Sequence, residues 1–390
     1  MFAPAQSLRL VHLASGSGPD AANGVGRVVY QLAKAQSALG HDVSVVSERG
    51  TQMDPYANEV HRSALTLARN RFAWATRQIS PTLAGELLAH RPDIVHMHSI
   101  HVPENVSLAR RLRHAGVNYC VTVHGGLRRE AQQRGRARKT VFWWMGEREY
   151  LDGALFIHAL TREEAHDIRA YGVKTRTIVA PNGIDVDSLP SAANPNALFS
   201  LAPELTGRRV FVFMGRLALS QKGLDLLIRG LSLANVPDSR LVVLGPDWRN
   251  GRAALEHQVE SLGLRRQVLF LDGQTPQRCA DLVAGADVFV HTSRWEGMPL
   301  AVLEAAAWQK PCLLTKMADP NGTISRSGGA IVVDSTAESI AQGLRALSTL
   351  DRRQLMEMGI RARSAVVSQF KWSLTAQTLL EAYRREERTG

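Results

Sequence analysis

The 390-residue chain lacks any long apolar run. A membrane-spanning helix needs about 20 consecutive apolar residues, and no segment of the sequence approaches that length. The stretch 1–13 carries Arg9 inside its only apolar segment and has no small-residue cleavage pattern, so it is predicted to form a first strand and not a signal peptide. The sequence therefore predicts a cytoplasmic protein that does not span a bilayer.

Cysteine is also scarce. Cys120, Cys279 and Cys312 are odd in number, far apart and without any paired spacing. This usage argues against a disulfide framework and against a cysteine-based zinc site. Reduced and mostly buried thiols are expected.

Acidic residues are in deficit. The chain has 36 Asp and Glu residues against 47 Lys and Arg residues, which gives a formal net charge of +11. A strongly basic balance favours anionic ligands or surfaces. Nucleic acid, an anionic membrane face and phosphorylated small molecules all fit it, and composition does not choose among them.

The length and the periodicity of the chain predict two α/β domains. Short apolar runs alternate with longer segments of helical period, as in parallel strands joined by helices. The segment 188–205 is rich in Pro, Ala and Asn, lacks periodicity and is predicted to be the linker. The predicted strands are 9–14, 42–47, 93–98, 119–125, 154–159 and 177–181 in the first half, and 210–215, 240–245, 268–272, 287–293, 312–315 and 330–334 in the second.

Each half is predicted to be a doubly wound, Rossmann-like sheet, with a cleft between two lobes. The predicted domains are 1–190 and 191–372, with a closing helix at 373–390 whose apolar face carries Leu374, Leu379, Leu380 and Tyr383. In such sheets ligands bind outside the carboxyl ends of the strands. Functional residues are therefore expected just after strands.

One strand end combines several features of an anion site. The strand 287–293 runs through the loop Arg294-Trp-Glu-Gly-Met-Pro-Leu300 into a predicted helix 299–309, with Pro299 at its first position. Gly297 permits close approach of a ligand, and the amides of residues 298–301 would face an anion at the positive end of the helix dipole. This arrangement is typical of a diphosphate cradle.

Two carboxylates flank this cradle. Glu304 lies about one turn inside the predicted helix and can lean back over the loop that holds Glu296. Ionised carboxylates accept hydrogen bonds strongly from hydroxyl groups. Hydroxyl-rich groups on both sides of a diphosphate would suit them.

The segment Glu296-Gly-Met-Pro-Leu-Ala-Val-Leu-Glu304-Ala-Ala-Ala resembles the E-x7-E signature of the retaining glycosyltransferases of family 4, which have the two-lobed GT-B fold. The resemblance implies that Glu296 contacts a donor sugar and that Glu304 contacts a ribose. Met214-Gly-Arg-Leu217 and Gln221-Lys-Gly223 are similar to the family's GR…KG pattern, which implies that Arg216 and Lys222 hold the donor diphosphate. Physically, both cations can neutralise the charge that develops on a departing diphosphate.

The first half carries further resemblances. Asn23-Gly-Val-Gly-Arg-Val-Val29 is similar to the family's glycine loop, and Val121-Thr-Val-His-Gly-Gly126 places His124 like the family's histidine near the reacting sugar. The glycine loop also fits part of a dinucleotide fingerprint, with Glu48 as the ribose partner, although Val29 stands where that fingerprint has Gly or Ala. A dehydrogenase therefore stays an open alternative at this point.

The resemblance implies a metal-independent retaining transfer of a hexose from a nucleotide-diphospho-sugar to a hydroxyl acceptor, with no cofactor. The first domain would face the acceptor and the second would bind the nucleotide sugar. A non-catalytic nucleotide-sugar-binding partner and a sugar-nucleotide epimerase of similar fold are the alternatives. The predicted catalytic residues are Glu296, His124, Arg216 and Lys222; the predicted donor-binding residues are Arg216, Lys222, Glu296, Gly297, Met298, Pro299, Leu300 and Glu304; the predicted acceptor-side residues are Gly24, His124 and Gly125.

Positive charge concentrates between residues 127 and 148, around the apolar run Val141-Phe-Trp-Trp-Met145. A cationic stretch beside aromatic residues suits an anionic membrane surface. It would favour a lipid-linked acceptor, as in surface polysaccharide synthesis, and a place at the inner face of the cell membrane. Packing of Phe142, Trp143 and Met145 into the domain with solvated arginines is the alternative, and no nucleic acid is expected because no recognised binding motif accompanies the charge. The cations are Arg128, Arg129, Arg134, Arg136, Arg138, Lys139 and Arg148.

Overall fold

The computed structural model describes residues 7–14, 24–47, 61–64, 78–133, 135–186, 189 and 193–387. The chain divides into two compact units. The first unit comprises Met1–Gly183 together with Lys371–Gly390, and the second comprises Ile184–Phe370. The sequence had placed the corresponding boundaries at 190/191 and 372/373.

The first unit contains a seven-stranded parallel sheet in the order β3-β2-β1-β4-β5-β6-β7. The chain order reverses between β1 and β4, which is the point where ligands bind in open sheets of this kind. Its strands are β1 (Arg9–Ala14), β2 (Asp42–Ser47), β3 (His61–Ala64), β4 (Ile94–His98), β5 (Asn118–Thr122), β6 (Ile157–Ala159) and β7 (Thr177–Val179).

The second unit contains a six-stranded parallel sheet in the order β10-β9-β8-β11-β12-β13, which reverses between β8 and β11. Its central strands are buried on both faces, because helices cover parallel sheets on each side, and they therefore appear in the sequence as continuous apolar runs. The strands are β8 (Arg209–Met214), β9 (Ser239–Leu244), β10 (Val268–Leu271), β11 (Val288–His291), β12 (Cys312–Thr315) and β13 (Ala330–Val333).

Helices connect the strands of both sheets. In the first unit they are α1 (Gly24–Ala38), α2 (Pro81–Ala89), α3 (Pro103–His114), α4 (Arg129–Gln133), α5 (Arg136–Phe142), a π-helical turn (Trp143–Glu147), α6 (Arg148–Asp152), α7 (Arg162–Ala170) and, at the C-terminal end, α17 (Trp372–Glu387). In the second unit they are α8 (Asn196–Leu201), α9 (Leu219–Lys222), α10 (Leu224–Ala234), α11 (Gly251–Ser261), α12 (Pro276–Gly285), α13 (Leu300–Ala307), α14 (Thr323–Arg326), α15 (Ala337–Thr349) and α16 (Arg352–Gln369), with short 3-10 turns at Pro203–Leu205, Lys316–Ala318 and Pro320–Gly322.

All twelve predicted strands are confirmed, with ends that differ by at most three residues. The two Rossmann-like sheets confirm the predicted fold class. The prediction missed β3, a short edge strand whose sequence His-Arg-Ser-Ala has no apolar run. Among the helices of the described residues, none combines the length and the apolar composition that crossing a bilayer needs.

Three local predictions were wrong or only half right. The linker segment 188–205 includes α8 and the 3-10 turn at Pro203–Leu205, so much of it is helical. Pro299 is the N-cap of α13, in an extended conformation, and the helix begins at Leu300. In α17 Leu374 is exposed, whereas Leu379, Leu380 and Tyr383 are buried as expected.

Candidate active site

The candidate site in the second unit lies where the chain order of its sheet reverses. Arg216 follows β8, and Glu296 follows β11, the strand that pairs with β8. Because carboxyl ends of parallel strands share one edge of a sheet, both side chains belong to the edge where ligands bind. The sequence order alone separates them by 80 positions, and the topology brings their loops together.

Several hydrogen bonds tie the loop after β8 to the loop after β11. The Arg294 amide donates to the Gln221 carbonyl (2.8 Å), and the Arg294 guanidinium binds both carboxylate oxygens of Asp225 (2.8 and 2.6 Å). Gly223 lies between these contacts with a φ of +63°, and any side chain there would overlap the carbonyl oxygen of Thr292. A glycine is therefore required at this position for the two loops to meet.

Glu296 is the centre of the joined loops. Its Oε1 accepts from Lys222 Nζ (2.6 Å), from Ser293 Oγ (2.6 Å) and from His291 Nε2 (3.3 Å). Gln221 Nε2 lies 3.5 Å from Oε2. The carboxylate is buried and fixed by four groups, so its orientation is set before any ligand arrives.

The Lys222 ammonium keeps Glu296 ionised. Burial is the largest single influence and raises the pKa of Glu296, but the Lys222 charge and the contacts with His291 together outweigh it and hold the pKa well below 4.5. His291 is buried and its pKa is lowered, first by burial and then by Lys222, so it donates to Glu296 as a neutral ring. The site thus contains one fixed negative charge with one cation beside it.

Arg216 supplies a second cation at this edge. Its guanidinium lies 4.5 Å from the centre of the Trp248 ring, which follows β9. Burial lowers the pKa of Arg216, while Glu296 acts in the opposite direction. Stacking engages the face of the guanidinium and leaves its N–H edge for hydrogen bonds to an anion.

Helix α13 begins directly after this loop. Leu300 and Ala301 are in its first turn, where amides have no partner within a helix, and the adjoining Gly297 is only partly buried. Glu304 lies one turn further along and is buried, as is Met298. The structure thus places the predicted donor-binding residues of this unit in the segment after β8, in the loop after β11 and in α13; their roles stay predictions.

The residues predicted for the acceptor side belong to the first unit. His124 follows β5 with a φ of +49°, and its Nε2 lies 3.0 Å from His98 Nδ1. The Gly125 amide donates to the buried carboxylate of Glu164, so it is used inside the protein. Gly24 is the exposed first residue of α1, with open space around it among the described residues. Glu48, the ribose partner of the dinucleotide alternative, lies outside the described residues.

Sequence reasoning missed several residues of these sites. Trp248, Ser293 and His291 contact the predicted residues Arg216 and Glu296, and each follows or ends a strand, which was the available signal. In the first unit it missed the buried polar side chains that are hydrogen-bonded, directly or through one another, to His98. These side chains come from six different elements, so no sequence spacing connects them.

The basic segment has two parts in the structure. Phe142 is buried and Trp143 packs against the core, as the packing alternative requires, whereas Val141, Trp144 and Met145 are exposed. Arg128 is buried and pairs with Asp167 at 3.1 Å. Arg129, Arg136 and Arg138 are exposed, and Arg134 lies outside the described residues. The exposed part therefore combines cations with apolar side chains.

Comparison with known proteins gives matches over both units. Residues 22–188 match the family described as Glycosyltransferase Family 4, and residues 201–365 match the family described as Glycosyl transferases group 1. The D-inositol 3-phosphate glycosyltransferase of Nocardia farcinica is 32% identical over 269 residues, which cover 65% of this chain and 57% of that relative. The match thus spans little more than half the length of that relative.

Two bacterial relatives match over nearly their whole length. The UDP-Gal:alpha-D-GlcNAc-diphosphoundecaprenol alpha-1,3-galactosyltransferase of Escherichia coli is 25% identical, with 89% of this chain and 90% of the relative covered. The GDP-mannose:cellobiosyl-diphosphopolyprenol alpha-mannosyltransferase of Xanthomonas campestris is 24% identical, with 96% of each covered. Among solved structures, sucrose-phosphate synthase from Thermosynechococcus elongatus has a TM-score of 0.79 at 19% identity over 98% of this chain and 100% of that one, a likeness of fold alone.

Proposed function

The chain belongs to the GT-B glycosyltransferases of the family 4 kind, and on that premise we propose that it transfers a hexose from a nucleotide-diphospho-sugar to a hydroxyl acceptor. The transfer retains the configuration of the donor sugar and needs no metal ion or cofactor. One observation carries the proposal: Arg216, Lys222 and a fixed Glu296 lie at the switch point of the second sheet, beside the N-terminus of α13.

The charges of this loop suit a diphosphate between a sugar and a nucleoside. Arg216 offers the N–H edge of its guanidinium, and the first turn of α13 adds amides at the positive end of a helix dipole. Such groups stabilise the negative charge that grows on the diphosphate as the sugar leaves. The departing diphosphate takes the proton of the acceptor hydroxyl, so the reaction requires no carboxylate nucleophile.

The two glutamates then have separate tasks. Glu296 accepts from hydroxyl groups of the donor sugar with the oxygen that Lys222 does not fill, and Glu304, one turn inside α13, serves the ribose. A diphosphate competes with Glu296 for the Lys222 ammonium. Donor binding is therefore expected to move Lys222 from a carboxylate partner to a phosphate partner.

For the acceptor we propose a lipid-linked glycan intermediate of surface polysaccharide synthesis. The E. coli and X. campestris relatives, which match over nearly their whole length, are both named for diphosphopolyprenol acceptors. The Nocardia relative is named for an inositol phosphate, so family membership alone leaves the acceptor open. The exposed basic and apolar surface of the first unit favours the lipid-linked class.

That surface suits the headgroup region of an anionic membrane. Trp144 is 69% exposed, Val141 58% and Met145 44%, and the Arg148 guanidinium lies 5.6 Å from the Trp144 ring. Arg136 and Arg138 are exposed on the adjoining α5. Each cation near an anionic leaflet contributes about 1 kcal/mol to the free energy of membrane binding, and insertion of the apolar side chains adds the gain from removing their surface from water. The protein is thus proposed to act at the inner face of the cell membrane.

A thermal-shift screen tests the donor half of the proposal. UDP-, GDP- and ADP-sugars are added singly to the purified protein, because a ligand that binds the folded state raises its apparent stability. We expect one nucleotide class to raise the Tm selectively, and we expect that class to transfer its sugar to a polyprenol-diphosphate glycan. No stabilisation by any nucleotide sugar would contradict the proposal.

The same reagents separate the alternatives. A nucleotide-sugar-binding partner without activity would bind the donor but neither transfer nor hydrolyse it with any acceptor. An epimerase of similar fold would convert the nucleotide sugar without an acceptor.

A further inference from the structure

The core of the first unit contains a continuous chain of polar side chains where apolar packing would be expected. Five histidines take part, and four of them are buried. His12 lies on β1, His96 and His98 on β4, His158 on β6, and His124 follows β5. His12 and His96 are register partners on the strands that flank the switch point of this sheet. Gln36 of α1, Thr122 of β5 and Tyr383 of α17 connect the rings.

The chain begins at a backbone carbonyl, which can only accept. His158 Nε2 lies 2.7 Å from the Ala180 oxygen, and His158 Nδ1 lies 2.8 Å from Thr122 Oγ1. Thr122 Oγ1 is 2.6 Å from His96 Nε2, and His96 Nδ1 is 2.7 Å from the Tyr383 hydroxyl.

The second half of the chain continues from the same hydroxyl. Gln36 Nε2 donates to it at 3.4 Å, and Gln36 Oε1 lies 2.7 Å from His12 Nε2. His12 Nδ1 is 3.0 Å from His98 Nε2, and His98 Nδ1 is 3.0 Å from His124 Nε2.

All five rings are neutral at neutral pH. Burial lowers the pKa of His12 and His158 to about 4 and that of His124 to about 3, and it lowers the pKa values of His96 and His98 as well. Neighbouring histidines lower several of them further. A neutral imidazole has one donor nitrogen and one acceptor nitrogen, so each ring passes on the direction of the bond that it receives.

The direction of every bond then follows from the Ala180 carbonyl. His158 must donate through Nε2, so its Nδ1 accepts from the Thr122 hydroxyl. Thr122 accepts from His96 Nε2, and the Tyr383 hydroxyl donates to His96 Nδ1.

The same rule extends the direction to the last ring. Gln36 donates to Tyr383 and accepts from His12 Nε2. His12 accepts from His98 Nε2 in turn, and His98 accepts from His124 Nε2. No step reverses along the chain.

We propose that this chain is a tautomer relay, in which Gln36, Tyr383, Thr122 and His158 are positioning residues for His124. The relay fixes the proton of His124 on Nε2 and leaves a lone pair on Nδ1. His124 can therefore accept a hydrogen bond from a ligand but cannot donate one. Its use as the acceptor of a sugar or acceptor hydroxyl rests on the proposed function, whereas the tautomer itself does not.

A metal ion is the competing interpretation, because nitrogen atoms of His12, His96 and His98 all lie within 4.8 Å of one another. Each of their six ring nitrogens already has a hydrogen-bond partner among the members of this hydrogen-bonded chain. A metal needs lone pairs directed at one point, whereas the relay requires a proton between His12 and His98. The hydrogen bonds therefore favour the relay.

Nitrogen NMR of the ligand-free protein tests the relay directly. The protein has 13 histidines in all. The His124 signals are therefore assigned by their loss in a His124→Gln variant of a 15N-histidine-labelled sample. Long-range proton–nitrogen correlations distinguish the two tautomers of a neutral ring. We expect a single Nε2–H form for His124 in the wild type. An Nδ1–H form, or an even mixture, would overturn the proposal.

Two variants cut the relay at different links. Tyr383→Phe keeps the ring that stacks on Phe156 but removes the hydroxyl, and Gln36→Met removes the amide at similar length. Without the Tyr383 hydroxyl the Gln36 amide can turn over and present its NH2 group to His12, and without the amide nothing fixes the direction at His12. In both variants the ratio of the two His124 forms is expected to change about fivefold, the amount that one net hydrogen bond provides. If one variant fails to fold, the other still gives the result.

Tyr119→Phe is the matched control. Tyr119 is an equally buried tyrosine of the same unit, and its hydroxyl donates to the Tyr150 carbonyl outside the relay. We expect it to leave the His124 tautomer unchanged. An equal change in Tyr119→Phe and Tyr383→Phe would show that the His124 tautomer depends on core stability and not on the relay. Stoichiometric metal in the purified wild type would show that these histidines form a metal site. Transfer assays on the same samples report on the proposed function separately.

Discussion

Lys222 Nζ lies 2.6 Å from Glu296 Oε1, and both side chains are nearly buried. The two residues are 74 positions apart in the chain and meet because β8 and β11 are neighbours at the centre of the second sheet. In the absence of a ligand the two charges of the pair neutralise each other, and Arg216 leaves the site with a net positive charge. The pairing also means that a change at Lys222 alters Glu296, so the loss of one charge must be tested together with the loss of the other.

A buried pair that loses one partner leaves an uncompensated charge. Lys222→Met is therefore expected to lower the free energy of unfolding by about 3–5 kcal/mol. The double variant Lys222→Met with Glu296→Gln removes both charges and is expected to recover a large part of that loss. Urea unfolding of the wild type, Lys222→Met, Glu296→Gln and the double variant measures the coupling free energy between the two side chains. A double variant no more stable than Lys222→Met would contradict this account of the pair.

The same pair predicts a pH dependence. The pKa of Glu296 in the folded wild type is held below its ordinary value of 4.5, so its contribution to stability is present above that pH and is lost as the pH falls further. Without Lys222, burial raises the pKa of Glu296, and the carboxyl is protonated at a higher pH than in the wild type. The stability gap between wild type and Lys222→Met should therefore begin to narrow above pH 4.5, where Glu296 of the variant takes up its proton, and should narrow further as the pH falls. A gap that stays constant from pH 7 to pH 3 would count against the pair.

Gly223 tests the contact between the two loops. Gly223→Ala would place a methyl group against the Thr292 carbonyl, whereas Gly263 has a similar φ of +68° and no described atom near its substitution site. Both variants strain the backbone to a similar degree. Gly223→Ala should thus lose more stability and more nucleotide-sugar binding than Gly263→Ala. Equal losses, measured by urea unfolding and by titration calorimetry, would show that the Thr292 contact has no special role.

Arg216 tests the diphosphate role with less structural disturbance than Lys222. Hydrogen bonds to charged groups contribute about 1.5–3 kcal/mol, so Arg216→Met should weaken nucleotide-sugar binding roughly tenfold to 150-fold. Arg229→Met changes the net charge equally at an exposed position of α10 and is the control. Titration calorimetry with the nucleotide sugar selected by the thermal-shift screen measures both. Similar nucleotide-sugar affinities in the two variants would show that Arg216 does not bind the donor diphosphate.

Trp144 tests the membrane surface. Trp144→Ser removes an exposed side chain and should reduce cosedimentation with vesicles that contain anionic lipid, without a change in Tm. Met356→Ser is the control, since Met356 is 58% exposed on α16 of the second unit. Binding of the wild type should weaken at high salt because charge attraction is screened. No binding of the wild type at low salt would exclude the surface as a membrane contact.

The sequence predicted the two sheets well for a physical reason. Central parallel strands are covered on both sides, so strands such as β8 and β9 are continuous apolar runs with clear ends. The edge strand β3 has no such pattern and was missed. The start of α13 was placed one residue early, because Pro299 suits both the first helical position and the extended N-cap that it occupies.

The site was predictable in its residue types but not in its pairings. Glu296, Arg216 and Lys222 follow from motifs near strand ends. That Lys222 pairs with Glu296, and that Arg216 stacks on Trp248, depends on which strands are neighbours, and no local spacing encodes it. The histidine relay is the extreme case, because its members come from four strands and the first and last helices of one unit.

The most direct test of the proposed function is a proton NMR time course of the reaction. Purified protein, the nucleotide sugar selected by the thermal-shift screen and a polyprenol-diphosphate glycan are mixed, and the first-formed anomeric signal of the product is recorded. The proposed function predicts that this signal has the same configuration as the donor and that it is lost in Arg216→Met. An inverted product, or no transfer to any hydroxyl acceptor by a protein that binds the donor, would contradict it.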